Sequence, residues 1–421
     1  EMTIAGIDKR TAEEIIESLR SGVPPRRGVS AYATGTEFVE KVRKRHLDQG
    51  IESGKIRFVN GSWGAGKTHF FRLLREHAFE ANLLVSTVEL TADQTPFNKF
   101  ERVLYEVVRN ITSPSMYQNG NLSEALPFGE VLRDALDSRA AAMDSSATAA
   151  ESLAVEVMQR EDLDIDFRRV VAAYWKTFTA EETELSALAE QRGSLLQWFE
   201  GEGQSTALRR DFGIQKMVTK ENARLILNSL GHFVKWLGFA GLLILLDESE
   251  MTHSTMRKAS LKQAHNNLLH LINEVGETEG IFLLYAAVPE FFSDQRTGIV
   301  QYGALAARIG QPADKAPAAL DKIWNIDKLE NSDAHFLEAA SKIRALYLVA
   351  YDDAKDDVID EDALRLHVEG LVHQHPEFAS VSPWRMVITG VIQVLDRSVE
   401  GDEIPSPAAH NKSILAALQD D

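Results

Sequence analysis

Apolar and polar positions along this chain follow two different rhythms, and the change between them marks out its elements. Residues 9–20 place Ala12, Ile15, Ile16 and Leu19 at helical spacing among charged neighbours, and Ser21-Gly22 follows as a stop signal. The next stretch, Gly22-Val23-Pro24-Pro25-Arg26-Arg27-Gly28, cannot be helix interior, because two prolines and two glycines punctuate it. A second helix is predicted over about 35–50. Ile56–Asn60 is short and apolar enough for a buried strand, a glycine-rich turn follows, and a helix is predicted from Lys67 to about Ala81. Leu83–Glu89 mixes β-branched and apolar residues as a second strand would, and Asn98–Ile111 reads as an amphipathic helix. Strand, loop, helix, strand, helix is the opening of an α/β sheet with crossovers.

From about 120 to 220 the strand patterns vanish, and Ala, Glu, Leu and Arg at helical spacing predict a mostly helical insertion. Within it, Ser145–Ala149 reads as a flexible interruption. A helix over 220–238, a strand over Leu242–Leu246, a helix over 261–276 and a strand over Ile281–Ala287 then resume the α/β pattern. After Glu330 the strands stop; 332–351, 360–372 and 383–399 predict three helices. The expected organisation is an N-terminal helical segment (1–50), a nucleotide-binding core (51–119 and 220–330), a helical insertion (120–219), a helical lid (331–400) and a weakly ordered tail (401–421). No internal repeat is present in the sequence. The fold class expected is α/β, a parallel sheet flanked by helices.

Composition narrows the class only slightly. At 421 residues with 44% hydrophobic and 26% charged positions, the chain falls in the ordinary globular range. No apolar run approaches the roughly 18–20 residues of a membrane span, and the first 20 residues lack a basic-then-apolar export signal, so a cytoplasmic location and no membrane contact are expected. The absence of cysteine excludes disulfides, thiol chemistry and thiolate metal sites. A net charge of −18, from 63 acidic and 45 basic residues, argues against non-specific coating of a nucleic-acid backbone. Any DNA contact is expected to be indirect, through an assembly or a partner.

Candidate chemistry concentrates in two places. Gly61-Ser62-Trp63-Gly64-Ala65-Gly66-Lys67-Thr68 matches the P-loop pattern in full, with a strand before it and a helix after. Glycines let the backbone curl so that successive N–H groups surround phosphates, and the following helix adds the positive end of its dipole. Lys67 is expected at the β- and γ-phosphates and the Thr68 hydroxyl on magnesium, with His69 next in the nucleotide-contacting set. The second place is Leu242-Leu243-Ile244-Leu245-Leu246-Asp247-Glu248, an apolar strand ending in adjacent carboxylates. Asp247 would hold the metal and Glu248 would polarise the attacking water. Glu250 would add negative charge nearby.

Other positions give weaker signals. The strand at 281–287 should lie beside the Asp247 strand, where related ATPases place a polar residue near the γ-phosphate; here Ala286 and Ala287 stand there, with Glu290 as the nearest substitute. Arg308 lies where an arginine acting across a subunit boundary would be placed, in a homo-oligomer. Arg385 begins a late helix and would reach the phosphates from the lid. His265 and His270 lie off a shared helix face, and His373 and His375 have no carboxylate at metal spacing. A guanine-reading Asn-Lys-x-Asp motif is absent, since Asn98-Lys99 is followed by Phe100-Glu101, so adenine is the expected base. Two other readings keep the P-loop: an ATP-loaded scaffold with little turnover, and a small-molecule kinase, for which an arginine-rich closing segment is missing.

Taken together, Ile15–Gly28, the P-loop, Gly241–Glu250, Pro289-Glu290-Phe291-Phe292 and Ser382–Asp396 resemble the BrxD-type ATP-binding proteins of BREX phage-defence systems, over most of the chain. The more specific pieces are Arg20–Gly28 and Leu246-Asp247-Glu248-Ser249-Glu250. Those proteins are similar to AAA+ ATPases of the origin-recognition kind. The resemblance implies a magnesium-dependent ATPase of anti-phage defence working beside DNA-modifying or helicase-like partners. It also implies that the Gly22–Gly28 region, Arg27 included, borders the adenine, and that Arg385 is the lid arginine. A DNA-binding winged helix is not expected after Arg385, and the insertion at 120–220 is the expected partner surface.

Overall fold

In a computed structural model of the chain, residues 6–118, 127–143, 145–179, 185–201, 205–248, 255–374 and 382–419 are described. Six strands form one sheet: β1 Lys55–Asn60, β2 Leu83–Glu89, β3 Ile111–Thr112, β4 Gly241–Asp247, β5 Ile281–Ala287 and β6 Ile323–Asn325. Their spatial order is β3-β2-β4-β5-β1-β6. Every pairing is parallel except that of the edge strand β3 with β2. The four strands expected from sequence are present within a residue of their predicted ends, and the α/β class with a mainly parallel, helix-flanked sheet is the fold.

All seven residues of β4 and of β5 are buried, as befits central strands covered on both faces. The two-residue period then divides them between two cores. Leu242, Ile244 and Leu246 join a core shared with helices Phe100–Arg109, Ala223–Trp236 and the inserted helices. Leu243 and Leu245 join the core of the P-loop helix Lys67–Glu80, the N-terminal segment and the C-terminal helices.

The stretch between β3 and β4 carries helices Pro127–Met143, Ser146–Met158, Ile165–Lys176, Leu185–Leu196 and Ser205–Phe212, with Trp175 and Trp198 fully buried among them. Phe128 and Phe167 pack on Phe233 of helix Ala223–Trp236 and both meet Phe199, anchoring this stretch beside the sheet. Ser145–Ala149 is not an interruption. The Ser145 side chain accepts the Thr148 N–H as an N-cap, and Ala149 and Ala150 are buried in the helix it opens. A Ser-rich run that reads as linker is here a helix start.

Helices Asp333–Ala350, Glu361–His373 and Pro383–Glu400 match the three expected after Glu330. Where a weakly ordered tail was expected over 401–421, Pro407–Gln419 forms a helix packed on two of these, with Ile414, His410 and Asn411 buried. Pro407 sits at the helix start, where its missing N–H costs nothing, so the proline opens a helix here. The expected helix over 35–50 is instead Glu37–Val42 followed by a π-helical turn, Arg43–Leu47. None of the described helices is long and apolar enough to cross a membrane.

Candidate nucleotide site

The sheet order puts the carboxyl ends of β1 and β4 on one edge with only β5 between them. Ligands of open parallel sheets bind outside this edge. The chain leaves β1 at Asn60 and turns through Gly61 to Gly66 into the helix that starts at Lys67. Gly64 (φ 76°) and Gly66 (φ 88°) both lie in the left-handed region, which explains glycine at these two positions. Within the loop the Ala65 N–H donates to the Ser62 carbonyl at 3.0 Å. The helix's first-turn amides lack intrahelical acceptors and supply an anion-binding end. Trp63 projects from the loop with 65% of its surface exposed, which leaves the loop open on that side.

Lys67 is buried, and its Nζ donates to the carbonyls of Gly61 (2.7 Å) and Ser62 (3.1 Å), folded back along its own loop. Burial lowers its pKa, and the carboxylates of Asp247, Asp327, Glu248 and Glu290 oppose that shift. Thr68 Oγ1 donates to Asp247 Oδ2 at 3.0 Å, joining the P-loop helix to the end of β4. Burial raises the Asp247 pKa, while the Thr68 hydrogen bond and the Lys67 charge pull it down. Glu248 is 1% exposed, its backbone N–H donates to the Ala286 carbonyl on β5, and its Oε2 accepts from the Tyr285 hydroxyl at 3.3 Å. Lys67, Thr68, Asp247 and Glu248 are therefore one cluster, contributed by the start of the P-loop helix and the end of β4.

Four carboxylates act on the Lys67 ammonium, and even with Arg72 acting on Asp247 and Lys328 on Asp327 the acidic groups outnumber the basic ones. A hydroxyl and a carboxylate oxygen 3.0 Å apart are hard donors of the kind magnesium takes alongside phosphate oxygens. Thr68 and Asp247 fit that ion, and its charge would relieve the excess.

The residues expected around this cluster are placed more variously. His69 follows Thr68 on the helix; its Nδ1 meets the Tyr32 hydroxyl at 3.2 Å, and burial pushes its pKa down to about 4. Arg27 does not meet the P-loop; its Nε and Nη2 donate to Glu14 at 3.2 and 3.1 Å. The segment around it is nonetheless fastened to the P-loop helix. Arg72 and Arg75 donate to the carbonyls of Pro24 and Arg26, and buried Glu76 accepts from the backbone N–H groups of Val29 (2.8 Å) and Ser30 (2.9 Å). Arg385 lies in helix Pro383–Glu400; its Nε is buried with no hydrogen-bond partner among the described residues. Arg308 is exposed on helix Gly303–Ile309, and its carbonyl accepts from Lys322. Neither arginine hydrogen-bonds the P-loop among the described residues. Glu250 and His375 lie outside the described residues.

Several residues at this edge escaped the sequence reading. Asp327, in the 3-10 turn after β6, accepts from the Ser62 N–H (2.9 Å) and Oγ (2.6 Å) and so ties down the entry arm of the P-loop. Asn60, buried at the end of β1, donates to Asn325 of β6 at 2.9 Å. Both asparagines line a cavity of about 530 Å³ beside Ser62, bordered by Pro289 and Gln311. Tyr285 is on β5, one residue before the two alanines that end the strand. No motif marks these positions. Only the β6 pairing could have revealed Asp327 and Asn325, and a three-residue strand has too little pattern to be read.

A mainly parallel sheet with a P-loop after β1 and a carboxylate pair after β4, separated by one intervening strand, defines a P-loop ATP-binding protein of the AAA+ type. Residues 7–412 match the family of BREX system ATP-binding proteins BrxC/D, and the chain belongs to that family. It is thus an ATP-binding component of a phage-defence system that comprises other proteins. No curated protein and no solved structure is similar enough to the chain to count as a match.

Proposed function

We propose that the chain hydrolyses ATP with magnesium at the P-loop edge of the sheet and uses the cycle to change its contacts with other defence proteins. The observation that carries this is the Thr68–Asp247 contact beside Lys67, with Glu248 the next residue after Asp247. In this reading the amides of Gly61–Thr68 and the start of the following helix hold the triphosphate, and Lys67 turns from the Gly61 and Ser62 carbonyls to the β- and γ-phosphates. Thr68 and Asp247 hold magnesium, which when bound neutralises phosphate charge. Glu248 orients the attacking water and takes up its proton. Tyr32, His69 and the 22–30 segment lie on the adenine side, where Arg27 is a contact after release from Glu14.

Around that site, 331–400 acts as a lid, with Arg385 reaching the γ-phosphate on closure; its buried Nε, without a hydrogen-bond partner among the described residues, supports a guanidinium held in reserve. Arg308 acts on the site of a neighbouring copy in a homo-oligomer. The insertion over 120–219 is the partner surface, since nothing in ATP chemistry requires it, and DNA is engaged through the assembly. The cytoplasm is the setting this role requires.

Single-turnover hydrolysis by the wild type and a Glu248→Gln variant tests the proposal. Loss of about a hundredfold or more in the variant is expected, and equal rates would overturn it. A second reading, an ATP-loaded switch with little turnover, draws on Ala286 and Ala287 at the end of β5. Wild-type ATP turnover no faster than product release by the Gln variant would favour it.

A further inference from the structure

The end of β5 offers the phosphates no polar side chain, yet the same strand does supply one to the site. Leu246 pairs in register with Tyr285, and Glu248, two residues on, emerges on the same face of the sheet. There the Tyr285 hydroxyl donates to Glu248 Oε2 at 3.3 Å. Both side chains are 1% exposed, so neither is held by bulk water.

We infer that Tyr285 is a positioning residue that fixes the Glu248 carboxylate for its work on the attacking water. The inference rests on the proposed role of Glu248 and adds to it the means by which that group keeps its aim.

A glutamate side chain has three rotatable bonds, and a water-directing carboxylate displaced by about 1 Å loses about a hundredfold in rate. The phenol can hold it because its own ring is immobile. It stacks on Phe291 (centroids 5.1 Å apart, 28°), meets Phe97 edge-on (5.7 Å, 79°) and lies 5.8 Å from Phe58. Phe97 is in turn pinned through its carbonyl, which accepts from Asn267 Nδ2 at 3.0 Å. A donor walled in on several sides cannot follow the carboxylate, so the carboxylate must follow it. The same wall is apolar, which strengthens the hydrogen bond at its tip.

Steady-state ATP hydrolysis by the full chain, with ATP affinity measured in parallel, tests this on Tyr285→Phe, Glu248→Gln and the double variant. Tyr285→Phe keeps the ring and removes only the donor. It should lower kcat by about ten- to a hundredfold while KM and ATP affinity stay within about twofold. The double variant should be no slower than Glu248→Gln alone, because the phenol acts only through the carboxylate. A kcat near wild type in Tyr285→Phe, or losses that multiply in the double variant, would overturn the inference while leaving Glu248 in its role. Wild-type turnover by Glu248→Gln would instead overturn that role, and the inference with it. Should Tyr285→Phe not fold, Phe97→Leu, which keeps the hydroxyl but loosens its wall, should lower kcat with KM unchanged; an unchanged kcat there overturns the inference.

Discussion

Glu76 gives the sharpest test of how the N-terminal segment is joined to the nucleotide site. Its carboxylate, buried on the P-loop helix, accepts from Val29 N–H (2.8 Å), Ser30 N–H (2.9 Å) and Tyr117 Oη (2.8 Å). Tyr117 also accepts from the Gly28 N–H at 3.2 Å. A hydrogen bond to a charged group contributes about 1.5–3 kcal/mol, and a buried donor left unpaired costs about 1–3. Glu76→Ala strips three such bonds and leaves the buried Val29 N–H without an acceptor, but it also removes the carboxylate's own desolvation cost. The net loss is therefore about 3 kcal/mol. At about 2.1 cal/mol/K of unfolding entropy per residue, 421 residues give about 0.9 kcal/mol/K, so Tm should fall by about 3–4 °C. Tyr117→Phe removes one of the three bonds and the acceptor of the Gly28 N–H, a loss of about 2 kcal/mol, and should lower Tm by only about 2 °C. Thermal unfolding followed by circular dichroism reads both. A Glu76→Ala protein melting within a degree of wild type, or a Tyr117→Phe protein melting lower than it, would refute the reasoning.

Two further outcomes follow from the C-terminal helices. His410 is buried against His367 (3.0 Å) and Gln393 (2.7 Å), and burial pushes its pKa down to about 4 from 6.5. Between those pH values the unfolded chain binds the proton and the folded chain does not, so this contribution is intact above about pH 6.5 and lost as pH falls towards 4; denaturant titrations should show His410→Gln losing less stability than wild type over that window. Arg385→Ala should lower kcat for ATP about tenfold or more while changing stability by less than about 1 kcal/mol, because no ion pair is broken among the described residues. A kcat near wild type in a stably folded Arg385→Ala protein would contradict the lid role.

The legible parts of this chain were those where one signal repeats or one motif demands its residues. The apolar runs Leu242–Leu246 and Ile281–Ala287 declare buried strands, and the P-loop glycines declare a turn in which Gly64 and Gly66 take positive φ values. What could not be read is pairing across long separations. Asp327 reaches Ser62 over 265 residues, and Glu76 reaches Val29 from another element, through groups that no local pattern distinguishes from a surface aspartate or a solvated glutamate. Two misreadings share one cause. Ser145 and Pro407 are breaker residues that here open helices, and a breaker looks alike on both sides of a boundary. Arg27 illustrates the opposite limit: the segment carrying it sits on the P-loop helix, but its side chain is turned to Glu14.

Calorimetric titration of magnesium-ATP into the wild type and into Lys67→Ala tests the central claim most directly. Lys67 must trade two carbonyl contacts for phosphate oxygens, a net gain of about 1.5–3 kcal/mol, so the variant should bind about ten- to a hundredfold more weakly at one site per chain. Equal affinity in the two proteins would place the nucleotide elsewhere and contradict the account.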